Sequence, residues 1–114
     1  MTTVSVIDKL LKLKARIDTM VAKRQQPWKT YRGPMDTDQA YIACMIHVIS
    51  KQPLNEKDVP ELEWYVTQMS EHLDHYTNQS GLHYTPMYKT THSDRIERLM
   101  DSLESHARNM ECAA

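Results

Sequence analysis

Residues 60–76 read PELEWYVTQMSEHLDHY, and this stretch decides the fold class. Its apolar side chains recur every three or four residues, which is the spacing of one face of an α-helix. Pro60 stands in the first turn, where the N–H that proline lacks has no helical partner to lose. The stretch predicts a helix over about residues 58–79 that ends before Gly81. Its inward face consists of Leu62, Tyr65, Val66, Met69, Leu73 and Tyr76.

The same spacing predicts three further helices, over about residues 5–24, 38–52 and 93–111. In the first helix, Ser5 and Asp8 have the spacing of a capping box. The core positions of that helix are Ile7, Leu10, Leu13 or Leu11, Ile17, Met20 and Val21. The core positions of the second are Tyr41, Ile42, Cys44, Met45, Ile46, Val48 and Ile49, and those of the fourth are Ile96, Leu99, Met100, Leu103, Ala107 and Met110.

The predicted fold is therefore all-α, a compact four-helix bundle in a single helical domain over residues 1–114. The link between the second and third helices is short, whereas the first and third links are each about a dozen residues long. In an up-down-up-down bundle these two long links lie at the same end. We therefore expect two long loops at one end of the bundle, and long loops in compact domains are often functional.

Both long loops are rich in aromatic and basic residues. Together with the last turn of the first helix, they supply the set that we call the basic-aromatic end: Lys23, Arg24, Trp28, Lys29, Tyr31, Arg32, Tyr84, Tyr88 and Lys89. Rings stack on nucleobases while Lys and Arg contact phosphates, so this composition suits a nucleic acid or a nucleotide. It equally suits an acidic protein surface. The alternative is a lid, in which the rings cover the open end of the core and the bases are merely solvated.

Charge is divided unevenly along the chain. Residues 1–33 contain eight bases and two acids, a balance of +6, while the rest of the chain has six bases and thirteen acids, a balance of −7. The net charge of −1 therefore hides a dipolar molecule, which indicates an anionic partner or assembly guided by charge. Because nucleic-acid-binding proteins usually have a clear excess of bases, the near-neutral total favours a protein partner.

Two charged stripes point to assembly. Lys9, Lys12, Arg16 and Lys23 fall on one side of the first helix, and Asp94, Glu97, Asp101 and Glu104 on one side of the fourth. Since the first and last helices of an up-down bundle are expected to be neighbours, these stripes pair within one chain or between two chains. An external anion and a membrane surface are the alternatives for the basic stripe.

Trp64 lies off the inward face of the third helix, in line with Gln68, Glu71 and His75. Because Trp is enriched at binding hot spots, these four residues are a predicted interface, and self-association is as plausible there as a foreign partner. We expect a homo-oligomer. The alternative is a ring that lies against its own helix or under a loop.

The compartment follows from composition. Met1-Thr2-Thr3 leads directly into an amphipathic pattern, so we expect no signal peptide. The longest apolar run, Ala40–Ile49, is too short to span a bilayer, which needs about 20 residues. Two cysteines, Cys44 and Cys112, make no disulfide framework. We expect a soluble cytoplasmic protein with no membrane partner.

Catalytic motifs are weak. Glu71 and His75 have i, i+4 spacing, but no Glu-x-x-His pair, phosphate loop, CxxC or HExxH motif occurs. We therefore predict no metal, no cofactor and no enzymatic activity.

One family resemblance supplies the enzymatic alternative. The basic first helix, the Pro27-Trp28 step and the following helix resemble the all-α nucleotide pyrophosphohydrolases typified by MazG, over about the first half of the chain. That family binds magnesium through tandem acids on its second helix, where this chain has Ala43–His47 without a carboxylate. Glu71 and Asp74 match the family's Glu-x-x-Asp element. The resemblance implies a magnesium-dependent nucleotide pyrophosphohydrolase that uses those two residues.

Overall fold

Four α-helices make up most of the chain in the computed structural model, which describes residues 3–24, 35–50, 54–77 and 85–113. They are α1 (Thr3–Arg24), α2 (Met35–Ile49), α3 (Val59–Thr77) and α4 (Ser93–Ala113). A 3-10 helix, Glu56–Asp58, leads directly into α3, and a second, Met87–Lys89, precedes α4. The all-α prediction is confirmed.

The helix ends differ from the predicted ones by a few residues. Helix α1 already begins at Thr3, so Ser5 lies inside the helix and the predicted capping box with Asp8 is wrong. Helix α2 begins at Met35 rather than near residue 38, with Asp36 and Asp38 in its first turn. Acids in a first turn stabilise a helix through its dipole, and this signal was available in the sequence.

Side-chain contacts between helices give their directions. Near the α1–α2 link, Gln39 donates a 2.7 Å hydrogen bond to Asp18, so these helices are antiparallel. Arg16 pairs with Asp74 in the second half of α3, so α1 and α3 run parallel. Tyr41, early in α2, donates to Glu97, early in α4. The four-helix bundle therefore has the predicted up-down-up-down order.

The neighbours in the bundle differ from the expected ones. Helix α1 packs against α2 and α3, and α4 also packs against α2 and α3, so α1 and α4 lie at opposite corners. The expectation that the first and last helices are neighbours is wrong. Consequently Arg16 of the basic stripe pairs with α3, and Glu97 of the acidic stripe bonds to α2, instead of pairing with each other.

The core lies on the predicted apolar faces, but several predicted core positions are only partly buried: Ile7, Met20, Tyr41, Cys44, Ile46, Val48 and Tyr76. The buried residues of α1 are Val6, Leu10, Leu13, Ile17 and Val21, whereas Leu11 is exposed. Each fully buried Val, Leu, Ile or Met side chain contributes roughly 1.5–3 kcal/mol. The buried apolar residues of α2, α3 and α4 include Ile42, Met45, Ile49, Leu62, Tyr65, Met69, Leu73, Ile96, Leu99 and Leu103.

Residues 85–92 lead into α4 and pack against α2 and α3. Thr85 contacts α3, Met87 is buried against α2, and Tyr88 packs on Tyr41 of α2. This segment therefore contacts both α2 and α3 at the end of the bundle where α4 begins. Within the described ranges, no helix combines the length and the apolar character that crossing a membrane requires.

Candidate functional site

The basic-aromatic end falls largely outside the described residues. Trp28, Lys29, Tyr31 and Arg32 lie in residues 25–34, and Tyr84 lies in residues 78–84, neither of which the structure describes. Lys23 and Arg24 form the end of α1, and only their backbone is described. Tyr88 and Lys89 are the members whose side chains are placed.

A buried acid joins the two loop ends. Asp38, which is 1% exposed, accepts hydrogen bonds from the backbone N–H of Met87 at 3.1 and 3.0 Å, one to each carboxylate oxygen. Asp38 lies in the first turn of α2, just after residues 25–34, and Met87 follows residues 78–84. This bond therefore brings the attachment points of both long loops to one end of the bundle, as the sequence predicts.

Thr85 is fixed to α3 by a second pair of contacts. The Nε2 atom of His72 lies 2.7 Å from the carbonyl oxygen of Thr85, and the Thr85 N–H donates to the Tyr76 hydroxyl at 3.2 Å. The His72 ring also meets the Tyr76 ring edge-on. The last turns of α3 thus position the chain that leads to Tyr88 and Lys89.

Tyr88 packs against the bundle instead of standing free. Its ring stacks on Tyr41, with 5.6 Å between ring centroids, and the Lys89 ammonium lies 5.8 Å from the Tyr88 centroid. Lys89 itself is exposed. One face of the Tyr88 ring is therefore covered by another ring, which is the lid arrangement, while the neighbouring base remains open to a partner.

Tyr41, on which Tyr88 stacks, also contacts α4. Its hydroxyl donates a 2.6 Å hydrogen bond to Glu97. Burial, together with the hydrogen bond to Glu97 and its negative charge, raises the pKa of Tyr41 to about 12. The phenol therefore stays neutral at physiological pH, and it connects α2 to α4 directly beside Tyr88.

Trp64 is partly covered by Arg95 of α4 and by His92, which precedes α4. The guanidinium carbon of Arg95 lies 4.0 Å from the centre of its ring, and His92 meets the ring edge-on at 5.3 Å. Arg95 also bonds to Glu61 at 2.8 and 3.1 Å, and this contact lowers the pKa of Glu61. Part of the Trp64 surface is therefore used within the chain.

The other members of the predicted interface lie further along α3. Gln68 is partly buried, and Glu71 and His75 are exposed. The His75 ring meets the Tyr76 ring edge-on at 5.0 Å. The exposed part of this interface is thus the pair Glu71 and His75.

The carboxylates that the pyrophosphohydrolase resemblance singles out are arranged differently from a metal site. Glu71 is exposed, and Asp74 pairs with Arg16, which also donates to the Ser70 carbonyl at 3.3 Å. A magnesium ion at Asp74 competes with this guanidinium. Over the described part of the chain, no three His, Cys, Asp or Glu side chains are grouped to hold a metal ion.

Cys44 lines a groove of about 330 Å³ between α2 and α4. Burial is the main cause that raises the pKa of its thiol, and the nearby charge of Glu104 adds to it. Because the nucleophile is the thiolate and not the thiol, a raised pKa disfavours covalent catalysis at this position.

Comparison with protein families, curated proteins and solved structures finds no match to this chain.

Proposed function

We propose that this protein is a non-catalytic interaction module that binds an acidic protein surface through its basic-aromatic end. The observation that supports this proposal most directly is the paired hydrogen bond between Asp38 and Met87. It joins the start of α2 to the segment before α4, where the two basic and aromatic loops attach. The described residues that follow each loop are thereby brought together at one end of the bundle.

The side chains of the basic-aromatic end are of the types that bind carboxylates on a partner protein. Lys89 is exposed beside the Tyr88 ring, and Lys23 and Arg24 close α1. Lys and Arg pair with carboxylates across an interface, and Trp and Tyr supply the anchors that dominate binding energy. Lys29 and Arg32, both in the first long loop, belong to the same set.

Tyr88 favours a protein over a nucleic acid. Base stacking uses a ring face, and Tyr41 occupies one face of Tyr88 while the Lys89 ammonium lies 5.8 Å from the ring centroid, so less of this ring is left for a nucleobase. A nucleic acid or nucleotide is the alternative partner. Nucleotide hydrolysis with magnesium is the second alternative, and the pairing of Asp74 with Arg16 disfavours it.

The oligomer and the compartment are part of the proposal. A homo-oligomer that uses the interface of Trp64, Gln68, Glu71 and His75 has Glu71 and His75 as its exposed centre. We place the protein in the cytoplasm because Cys44 is a free thiol, which is typical of a reducing compartment.

The partner class is tested by titration with labelled polyglutamate and with single- and double-stranded oligonucleotides at about 50 and 200 mM salt. Preferential binding of polyglutamate supports an acidic protein partner. Tight, strongly salt-dependent binding of oligonucleotides instead identifies a nucleic-acid module. No binding of any of these ligands at low salt contradicts the proposal.

A further inference from the structure

A second candidate site lies away from the basic-aromatic end, where the chain enters α3. A cavity of about 340 Å³ opens there between the start of α3 and the first half of α4. Its polar lining consists of Lys57, Asp58, Glu61, Arg95, Arg98 and Ser102. Three bases and two acids therefore surround one opening.

Asp58 is the buried group of this cavity. The residue is only 3% exposed, and its Oδ1 atom accepts a 2.6 Å hydrogen bond from the Ser102 hydroxyl. Its Oδ2 atom is buried and has no hydrogen-bond partner among the described residues. Buried polar atoms are nearly always hydrogen-bonded, so this oxygen indicates a place for a proton donor from outside the chain.

The three bases of the cavity differ in whether they already pair with an acid of the chain. Arg95 is bonded to Glu61 and stacked over Trp64. Lys57 and Arg98 are exposed, and among the described residues neither forms an ion pair. The cavity therefore offers two bases outside any such pair and one carboxylate oxygen without a donor, Oδ2 of Asp58, while its second acid, Glu61, is held by Arg95.

We propose that this cavity binds a protonated phosphate group. Such a group has both chemistries that the cavity requires: its P–OH donates to Oδ2 of Asp58, and its anionic oxygens accept from Lys57 and Arg98. Hydrogen bonds between a hydroxyl and a carboxylate are short and strong. The positive end of the α3 dipole adds a favourable field. This inference is independent of the proposed function.

Comparing phosphate with sulfate tests whether the cavity requires a ligand that donates a proton or binds any anion of this size. It has the size of phosphate but no proton to donate near neutral pH. We expect inorganic phosphate to bind at least about tenfold more tightly than sulfate, because a charged acceptor left without its donor costs about that factor. The binding is followed by backbone NMR shifts at Lys57 and Arg98, at equal ionic strength and about pH 6, where a phosphomonoester still retains part of its proton.

Two variants make the test specific. Asp58→Asn keeps an acceptor for Ser102 but can turn an N–H toward the ligand, so the preference for phosphate over sulfate should disappear. Arg98→Gln, at an exposed position, should weaken binding of both anions, and Arg108→Gln is the matched control outside the cavity. Equal binding of phosphate and sulfate by the unchanged protein, or no shift with either anion, overturns the proposal. So does a preference that survives Asp58→Asn.

A further titration with a phosphomonoester tests whether the bound phosphate group belongs to a small molecule or is the free ion. Tighter binding of the ester than of inorganic phosphate, with the same dependence on Asp58 and Arg98, supports a phosphorylated small molecule as the ligand, since the cavity has room beyond a phosphate. Tighter binding of inorganic phosphate, with that dependence, supports the free ion. The oligonucleotide and polyglutamate titrations depend on different residues, so failure of either proposal is distinguishable from failure of the other.

Discussion

Both carboxylate oxygens of Asp38 accept the backbone N–H of Met87, at 3.1 and 3.0 Å, inside the protein. This contact spans 49 residues of sequence and joins α2 to the chain before α4. It also sets the position of Tyr88, the next residue, against Tyr41. The position of Tyr88 and Lys89, the described side chains of the basic-aromatic end, thus depends on one buried acid.

Replacing Asp38 should therefore destabilise the fold. Asp38→Ala leaves the Met87 N–H buried without an acceptor, which costs about 1–3 kcal/mol of the free energy of unfolding. Asp38→Asn, which keeps one acceptor oxygen, should cost less. Urea unfolding measures both. Asp36→Asn, in the same helical turn but less buried, is the control and should change the free energy by less than about 0.5 kcal/mol. Equal effects of Asp38→Ala and Asp36→Asn contradict this role.

Glu61 should give an acid-side dependence of stability. Its hydrogen bond to Arg95 lowers its pKa below the ordinary value of 4.5, so the unfolded chain binds a proton more readily than the folded one. The stabilisation is therefore complete above pH 4.5 and is lost as pH falls through the lowered pKa of the folded state. Melting temperatures between pH 7 and 3 should show that the deficit of Glu61→Gln shrinks on acidification. A deficit that stays constant over that range contradicts the pairing.

Tyr41 should titrate late. Its pKa of about 12 in the folded state exceeds the ordinary value of 10, so any stabilisation from the neutral phenol is present below pH 10 and lost as pH rises toward 12. Ultraviolet titration curves are recorded for the unchanged protein and for Tyr41→Phe, and their difference reports the ionisation of Tyr41. That difference should have its midpoint near pH 12. Glu97→Gln should shift that transition down, because the hydrogen bond to a negative charge is removed. A midpoint near pH 10 in this difference titration contradicts the burial and hydrogen bonding of Tyr41.

Trp64 should contribute to stability through its packing on α4. A fully buried Trp→Ala change costs about 3–5 kcal/mol, and Trp64 is partly buried, so Trp64→Ala should cost about 2 kcal/mol. Chemical unfolding measures this, and Thr67→Ala, at an exposed site on α3 outside the predicted interface, is the control. Sedimentation of the same variants tests the predicted interface. A Trp64→Ala protein of unchanged stability and altered mass indicates that the ring serves an interface alone.

Apolar spacing predicted the helices and most of the core, because that spacing reflects burial of one helix face. It did not identify Asp38 or Asp58 as buried, since a polar residue is buried only when a distant partner, here Met87 or Ser102, meets it. The stacking of Tyr88 on Tyr41 likewise depends on tertiary contacts. Val6 is buried instead of Ile7 because, at 3.6 residues per turn, Val6 lies closer to the centre of the face that Leu10 and Ile17 bury.

The placement of the charged stripes was missed for a related reason. Spacing along a helix defines its faces but not which helix packs on each face. The structure sets α1 beside α3, where Arg16 meets Asp74, and sets α4 diagonally opposite α1. Adjacency in the chain was therefore a poor guide to adjacency in the bundle.

The central claim is that the basic-aromatic end binds an acidic protein surface, and charge reversal tests it most directly. The measurement compares affinity for labelled polyglutamate at low salt between Arg32→Glu/Lys89→Glu and the matched control Lys12→Glu/Arg108→Glu, which makes the same charge change elsewhere. The account predicts at least about tenfold weaker binding for the first protein and nearly unchanged binding for the control. Equal losses in both proteins, or none in the first, contradict it.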